Sequence, residues 1–267
     1  MKFSEYQRLQ FERRPNGVLL ITINRPEKLN AADAEMSHEF TTVWPDVAAD
    51  PETRVAVITG AGKAFSAGGD ISSGTTRAGD LPKIANMLSE ARSLVVNMLN
   101  CDKPIISAIN GVAVGAGLAV ALLADISIIG DDVRFTDGHM RIGLAAGDHA
   151  AIAWPLLCGI AKAKYYLLTA DFIDGKEADR IGLVSKSVPT DQVLVEALRV
   201  ADKLGRGPQL AQNWTKISIN HWLRNAQPAF EASLALEMLT FFSADSQEGL
   251  TAVLEKRSPV FPSGATS

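Results

Sequence analysis

Two short glycine-rich stretches carry the residues whose chemistry is plainest. One is Gly60-Ala-Gly-Lys-Ala-Phe65-Ser66-Ala67-Gly68-Gly69-Asp70; the other is Asn110-Gly111-Val-Ala-Val-Gly115-Ala116-Gly117-Leu118. Each follows an apolar, β-branched run of strand length, Val55–Thr59 and Pro104–Ile109. The second also leads into an Ala/Leu/Val run that suits a buried helix. A strand, a glycine turn and a helix start together present backbone N–H groups that lack an intrahelical partner, with the positive end of the helix dipole behind them. Each turn can offer one N–H to a single oxygen. Two that converge form an oxyanion hole, worth about 3–4 kcal/mol per donor to a developing enolate or tetrahedral oxyanion. Either stretch taken alone also fits a close-packed turn with no chemistry.

Neighbouring motifs fail on residue type. Gly115-Ala-Gly117 has Val120 where a dinucleotide fingerprint needs its third glycine, and Gly62-Lys63 is followed by Ala64 where a P-loop needs Ser or Thr. The charge-free run between Lys103 and Asp125 contains Pro104, Ser107, Asn110 and three glycines, a poor spanning helix.

The elements that must position these turns read as an α/β chain. Residues 5–13 and Val18–Asn24 form a hairpin through Arg14-Pro-Asn-Gly17, followed by the basic loop Arg25-Pro-Glu-Lys28. Asp33 caps a helix running to about Ala49, and Leu81–Asn100 is an amphipathic helix. Between them Ile71–Asp80, rich in Gly, Ser and Thr, reads as a lid. Asp125–Ile129 and Val133–Phe135 are predicted strands, and Asp148 is the predicted N-cap of the next helix. Strands separated by helices imply parallel pairing. From Asp191 the pattern is helical: Val193, Ala197, Val200 and Leu204 share one face, Phe230, Leu234 and Phe241 another. These large apolar residues suit an oligomer contact, or packing back on the chain's own core.

Composition bounds the function. At 267 residues, 28.5 kDa and net charge −4, the chain has no dominant basic surface, which argues against nucleic acid as its main partner. Cys101 and Cys158 are isolated, so no disulfide framework is expected. The N-terminus has no apolar signal core, and a cytoplasmic protein is the expectation.

Phe65-Ser-Ala-Gly68-Gly69-Asp70-Ile71 and Ile109-Asn-Gly111-Val-Ala-Val-Gly115-Ala116-Gly117-Leu118 resemble the two signature segments of the crotonase (enoyl-CoA hydratase/isomerase) superfamily. Asn24-Arg25-Pro26-Glu27-Lys28-Leu29-Asn30-Ala31 and Glu248-Gly-Leu250…Glu255-Lys256-Arg257 are similar to that family as well. The resemblance implies a crotonase-like ββα superhelix over 1–190, and a helical C-terminal region over 191–267 that builds a homotrimer or dimer of trimers. It implies an acyl-coenzyme A thioester substrate, with coenzyme A bound only as part of that substrate. The carbonyl oxygen would meet the N–H groups of Gly69 and Ala116. Coenzyme contacts would fall to Arg25, Lys28, Ala67 and Lys256, although a solvated surface also explains such basic residues.

The departures narrow the chemistry. Hydratases of the family carry two glutamates, at positions that here hold Ala119 and His139. Its isomerases and dehalogenases often place a carboxylate where this chain has Gly147. In their stead stand His139 and Asp148, nine residues apart, a spacing similar to that of the β-diketone hydrolase branch, the 6-oxocamphor hydrolase type. A histidine is a competent base near neutral pH, and a nearby carboxylate orients it. Retention of the Arg25/Lys28 and Lys256 segments favours hydratase-like chemistry on a CoA thioester. Carbon–carbon hydrolysis of a β-diketone and a non-catalytic CoA-binding trimer are the alternatives. No metal is expected: there is no His-x-x-x-His pair and no cysteine cluster.

Overall fold

Asn16 and Gly17, both at positive φ (+60° and +72°), close the first hairpin, in which β1 (Leu9–Arg14) pairs antiparallel with β2 (Val18–Ile23). The computed structural model describes residues 3–70 and 80–264; the predicted lid lies outside the described residues except for Asp80. Asp33 caps α1 (Ala34–Ala49), its carboxylate accepting from Met36 N, as the Asp-x-x pattern demands. The buried runs Val55–Gly60 (β3), Ile105–Ile109 (β5) and Ile126–Gly130 (β7), with Lys186–Val188 (β8), continue the sheet in parallel, in the order β1-β2-β3-β5-β7-β8.

The short strands Ala64–Ser66 (β4) and Val112–Ala113 (β6) form a separate parallel pair. Each long strand thus turns a corner into a short one before its helix, β3–β4 into α2 (Leu81–Asn100) and β5–β6 into α3 (Gly115–Leu123). That is the ββα repeat, and it stacks the two glycine turns one above the other. Val114 N donates to Ser66 O at 3.0 Å, and a Cβ on Gly117 would sit 2.4 Å from Ser66 Cβ, so only glycine permits this approach.

Two predicted elements differ. Val133–Phe135 is not a strand; Phe135 makes one bridge to Ile173, and its buried ring anchors a loop that runs to His149 through a turn at His139–Ile142. The following helix, α4 (Ala150–Thr169, broken at Gly159), is capped by His149 and not by Asp148. The His149 carbonyl accepts from Ile152 N and Ala153 N, while the Asp148 carboxylate is taken up by a histidine ring.

After α5 (Gly175–Arg180), the C-terminal helices are α6 (Val193–Gly205), α7 (Gln209–Asn225), α8 (Gln227–Thr240) and α9 (Ala244–Leu254). Helix α6 lays Val193, Ala197 and Ala201 on β3, β5 and β7. Lys216 of α7 is pinned to Asp125 at 2.8 Å and to the Lys103 carbonyl. Helix α8 packs on α2 and α4 through Phe230, Leu234 and Met238, and α9 packs on the His139 turn. Among the described residues no helix is long and apolar enough to cross a membrane.

Because Gly117 has no room for a methyl group, Gly117→Ala is expected to cost about 1–3 kcal/mol of stability, measured as a lower urea midpoint. Gly264→Ala, where a Cβ meets nothing within 4 Å, is the control and should leave the midpoint in place.

Candidate active site

The first glycine turn is fixed by main-chain bonds. Ala32 N donates to Gly68 O (2.7 Å), Asp70 N to Ala32 O (2.9 Å) and Ala67 N to Leu29 O (3.0 Å). Every N–H from Ala67 to Asp70 thereby has a partner except that of Gly69, which meets no acceptor among the described residues. In the second turn Gly117 N and Leu118 N both return to Val114 O, and Ala116 N, in the first turn of α3, likewise meets none. The two turns touch: a Cβ on Gly115 would lie 4.0 Å from the Gly69 nitrogen, and Gly69 itself faces open space.

The basic loop divides its labour. Arg25 is spent on the fold: Nη1 holds Asp70 Oδ2 at 2.7 Å and the Ala31 carbonyl at 3.0 Å, and Nε lies 3.5 Å from Asp33. Lys28 and, at the other end of the chain, Lys256 are exposed, with no partner among the described residues. Ala67 offers no N–H, which Leu29 has taken. Of the aromatic residues between Trp154 and Tyr166, Trp154 is fully buried, and Tyr165 and Tyr166 bond Asp171 and Glu177.

His139 and Asp148 come together, in larger company than the sequence announced. His139 Nδ1 bonds Asp137 Oδ1 at 2.8 Å, and its Nε2 lies 3.4 Å from Glu237 Oε1 and 3.9 Å from Asp148 Oδ1. Asp148 Oδ1 is in turn 2.5 Å from His149 Nδ1. All five groups are buried or nearly so. Asp137 Oδ2, Glu237 Oε2 and His149 Nε2 have no partner among the described residues. Ala119, at the other glutamate position, is a fully buried methyl. Two triplets, His139/Asp148/Glu237 and Asp137/Asp148/His149, hold their donor atoms within 4.8 Å of one another. The ring-to-carboxylate hydrogen bonds account for that spacing, and no metal is assigned to it.

Burial disfavours every charge here, but the partners decide the outcome. For His139 burial lowers the pKa, and the charges of Asp137 and Asp148 with hydrogen bonds to Asp137 and Glu237 carry it well above the usual 6.5. Asp148 is pushed up by burial and far down by His149 and His139, and stays ionised. Burial raises Glu237. His149 is lowered by burial and raised further by Asp148. The His139 ring therefore keeps its proton above the ordinary histidine range.

Glu237 escaped the sequence reading, yet a signal was present. It lies on α8 in register with Phe230, Leu234 and Phe241, a carboxylate on an otherwise apolar buried stripe, where it must serve a partner. Gly147 admits it: a Cβ there would stand 2.4 Å from Ser233 O and 2.8 Å from Glu237 Oε2. A carboxylate thus reaches the His139 ring from a distant helix.

The sequence profile of the enoyl-CoA hydratase/isomerase family matches residues 13–264. The chain belongs to that family. A probable enoyl-CoA hydratase of Rhodobacter capsulatus is 36% identical over 249 residues, 92% of this chain and 94% of the relative. An enoyl-CoA hydratase/isomerase crystal structure from Mycobacterium paratuberculosis superposes with TM-score 0.86 at 33% identity, covering 91% of this chain and 97% of that one. A β-diketone hydrolase from the cyanobacterium Anabaena, bound to (S)-3-oxocyclohexyl acetic acid, gives TM-score 0.82 at 26% identity over 90% and 96% of the two chains. The crotonase fold, with its helical C-terminal region, is thus shared with both kinds of protein.

A raised histidine pKa stabilises the fold below the unfolded value of about 6.5, and the effect is lost as the pH climbs through the folded value. The stability difference between the native chain and His139→Gln should therefore shrink from pH 6 to pH 9 in urea titrations.

Proposed function

We propose that the chain is a crotonase-fold enzyme that holds a substrate oxygen at the N–H groups of Gly69 and Ala116 and activates water with His139, and that its reaction is hydrolytic cleavage of a β-dicarbonyl carbon–carbon bond. The observation that carries this reading is the one-sided placement of acid–base groups. Asp137, Asp148, His149 and Glu237 gather around His139, and the position where hydratases are expected to carry their other glutamate is the buried methyl of Ala119. One such centre suffices for this reaction. His139 Nε2 takes a proton from water, and the hydroxide adds to one carbonyl carbon. The carbon–carbon bond breaks with its electrons passing to the second carbonyl, whose enolate oxygen the two amides receive. The imidazolium returns the proton to carbon. Asp137 holds the ring through Nδ1, and Asp148 and Glu237 stabilise its charged form. The β-diketone hydrolase of Anabaena supports the reading through its shared fold.

A second reading, hydration of an enoyl-CoA, is favoured by Lys28 and Lys256, two exposed cations without partners that suit coenzyme phosphates. The name of the Rhodobacter relative agrees with it. Engagement of Arg25 by Asp70 removes one cation from that argument. In this second reading coenzyme A enters only as part of the substrate, and neither reading needs a tightly bound cofactor.

The C-terminal helices expose Trp214 and Trp222, 62% and 69% accessible, with Ile219 and Leu239. We read these residues as part of a trimer contact. Light scattering should give three or six times 28.5 kDa.

Incubation with a cyclic β-diketone and with crotonyl-CoA in parallel, followed by mass spectrometry, separates the two readings. Water is added in both, but only the first yields a ring-opened keto acid. On the substrate that is consumed, His139→Ala is expected to lower turnover at least ~100-fold. The activity should rise with pH on the alkaline side of 6.5, where the ring loses its proton. Wild-type turnover by His139→Ala would remove this residue from the mechanism.

A further inference from the structure

One buried group takes no part in that mechanism. His149 is fully buried, its Nδ1 is 2.5 Å from Asp148 Oδ1, and its Nε2 has no partner among the described residues. The oxygen it holds is the same Oδ1 that stands 3.9 Å from His139 Nε2. Asp148 therefore lies between two imidazoles and is hydrogen-bonded to only one of them. The ring that holds it is itself rigidly carried, because the His149 carbonyl caps α4 through Ile152 N and Ala153 N.

We propose that His149 is a positioning residue: its Nδ1–H, donated to Asp148 Oδ1, holds that carboxylate back from His139, so that Nε2 has Glu237 Oε1 at 3.4 Å as its one close acidic neighbour among the described residues and can exchange that contact for water and substrate. A gap of 3.9 Å exceeds a charge-assisted hydrogen bond, which closes to about 2.7–2.9 Å. Without the bond from the His149 ring only the main-chain N–H of His149 still holds Asp148, and a side-chain rotation brings this ionised carboxylate onto Nε2 beside Glu237, where it fixes the proton on the ring. The proposal rests on His139 being the acid–base group.

The charged surroundings are few. Asp137 and His139 face His149 from the preceding loop, and Asp148 adjoins it. Glu237 faces His139 from α8. Helix α9 brings Asp245 to Gly143, with its carboxylate bonded to Ser263, and neither α3 nor the first turn of α4 carries a charge.

The test is an NMR titration of the ring nitrogens of His139 in the full chain, which needs no substrate. It compares the native protein with His149→Ala, which loses the donor, and His149→Asn, whose amide nitrogen replaces Nδ1. The expected result is a His139 midpoint about one pH unit higher in His149→Ala and near the native value in His149→Asn. On whichever substrate the enzyme consumes, kcat should fall about tenfold in the alanine variant with KM unchanged. Asparagine should restore most of it. An unmoved midpoint in His149→Ala overturns the proposal. Equal shifts in both variants also overturn it, because the effect is then the lost ring charge. Should the alanine variant not fold, His149→Gln takes its place, since its amide lies where Nε2 was and cannot hold Asp148. Turnover of neither substrate, with the expected midpoints, would count against the reaction and not against His149.

Discussion

The contact between Ser66 and the glycines of the second turn is the constraint on which the site depends. A main-chain hydrogen bond from Val114 N to Ser66 O sets the spacing, and the missing Cβ of Gly117 allows it. Behind the contact, Ser66 Oγ bonds the Asn30 carbonyl, and Asn30 spans the carbonyls of Ala61 and Ala64. The first turn is therefore held from two sides by buried polar groups, which cannot shift without stranding a donor. Two amide hydrogens left over by this arrangement, on Gly69 and Ala116, belong to turns that touch and that main-chain bonds hold in place. Such donors need no reorganisation when charge appears on a substrate oxygen.

A second economy concerns charge. Three carboxylates and two histidines are packed where isolated ions would be very costly, and they persist because each ring lies within reach of acidic oxygens. Burial and pairing oppose each other at every member. For the histidines and Asp148, pairing wins; for Glu237, burial does. The result is a ring that keeps its proton above the ordinary range, beside a carboxylate that keeps its charge far below it. Pairs of titratable groups driven apart in this way are a mark of acid–base sites.

The C-terminal helices do more than cover the sheet. Helix α6 completes the core on β3, β5 and β7, and α7 is tied down by the Lys216–Asp125 pair. Helix α8 delivers Glu237 to the His139 ring through the gap that Gly147 leaves. A region expected to serve association, or to pack back on the chain's own core, thus also supplies a side chain of the candidate site.

Local pattern by itself determined much of this protein. The hairpin at Asn16-Gly17, the Asp33 cap, the Leu81–Asn100 helix and the two glycine turns all follow from interactions within a few residues, which a linear reading captures. The family was legible for the same reason, since motif residues survive without coordinates, and the nine-residue spacing drew attention to His139 and Asp148 without showing that Asp148 bonds His149. Tertiary structure decided where partners compete. Val133–Phe135 has strand-forming residues but no neighbouring strand to join, so it stays a loop. Asp148 had a choice between capping a helix and binding an imidazole, and the ring of its own neighbour His149 took it; Arg25 meets Asp70, which folding brought close from further along the chain. Glu237 belongs to the site only because α8 crosses Gly147, 90 residues earlier in the chain. Hydrogen bonds and ion pairs act over a few ångströms of space, whatever the separation along the sequence, and that is why composition and spacing could name the chemistry but not assign all of its partners.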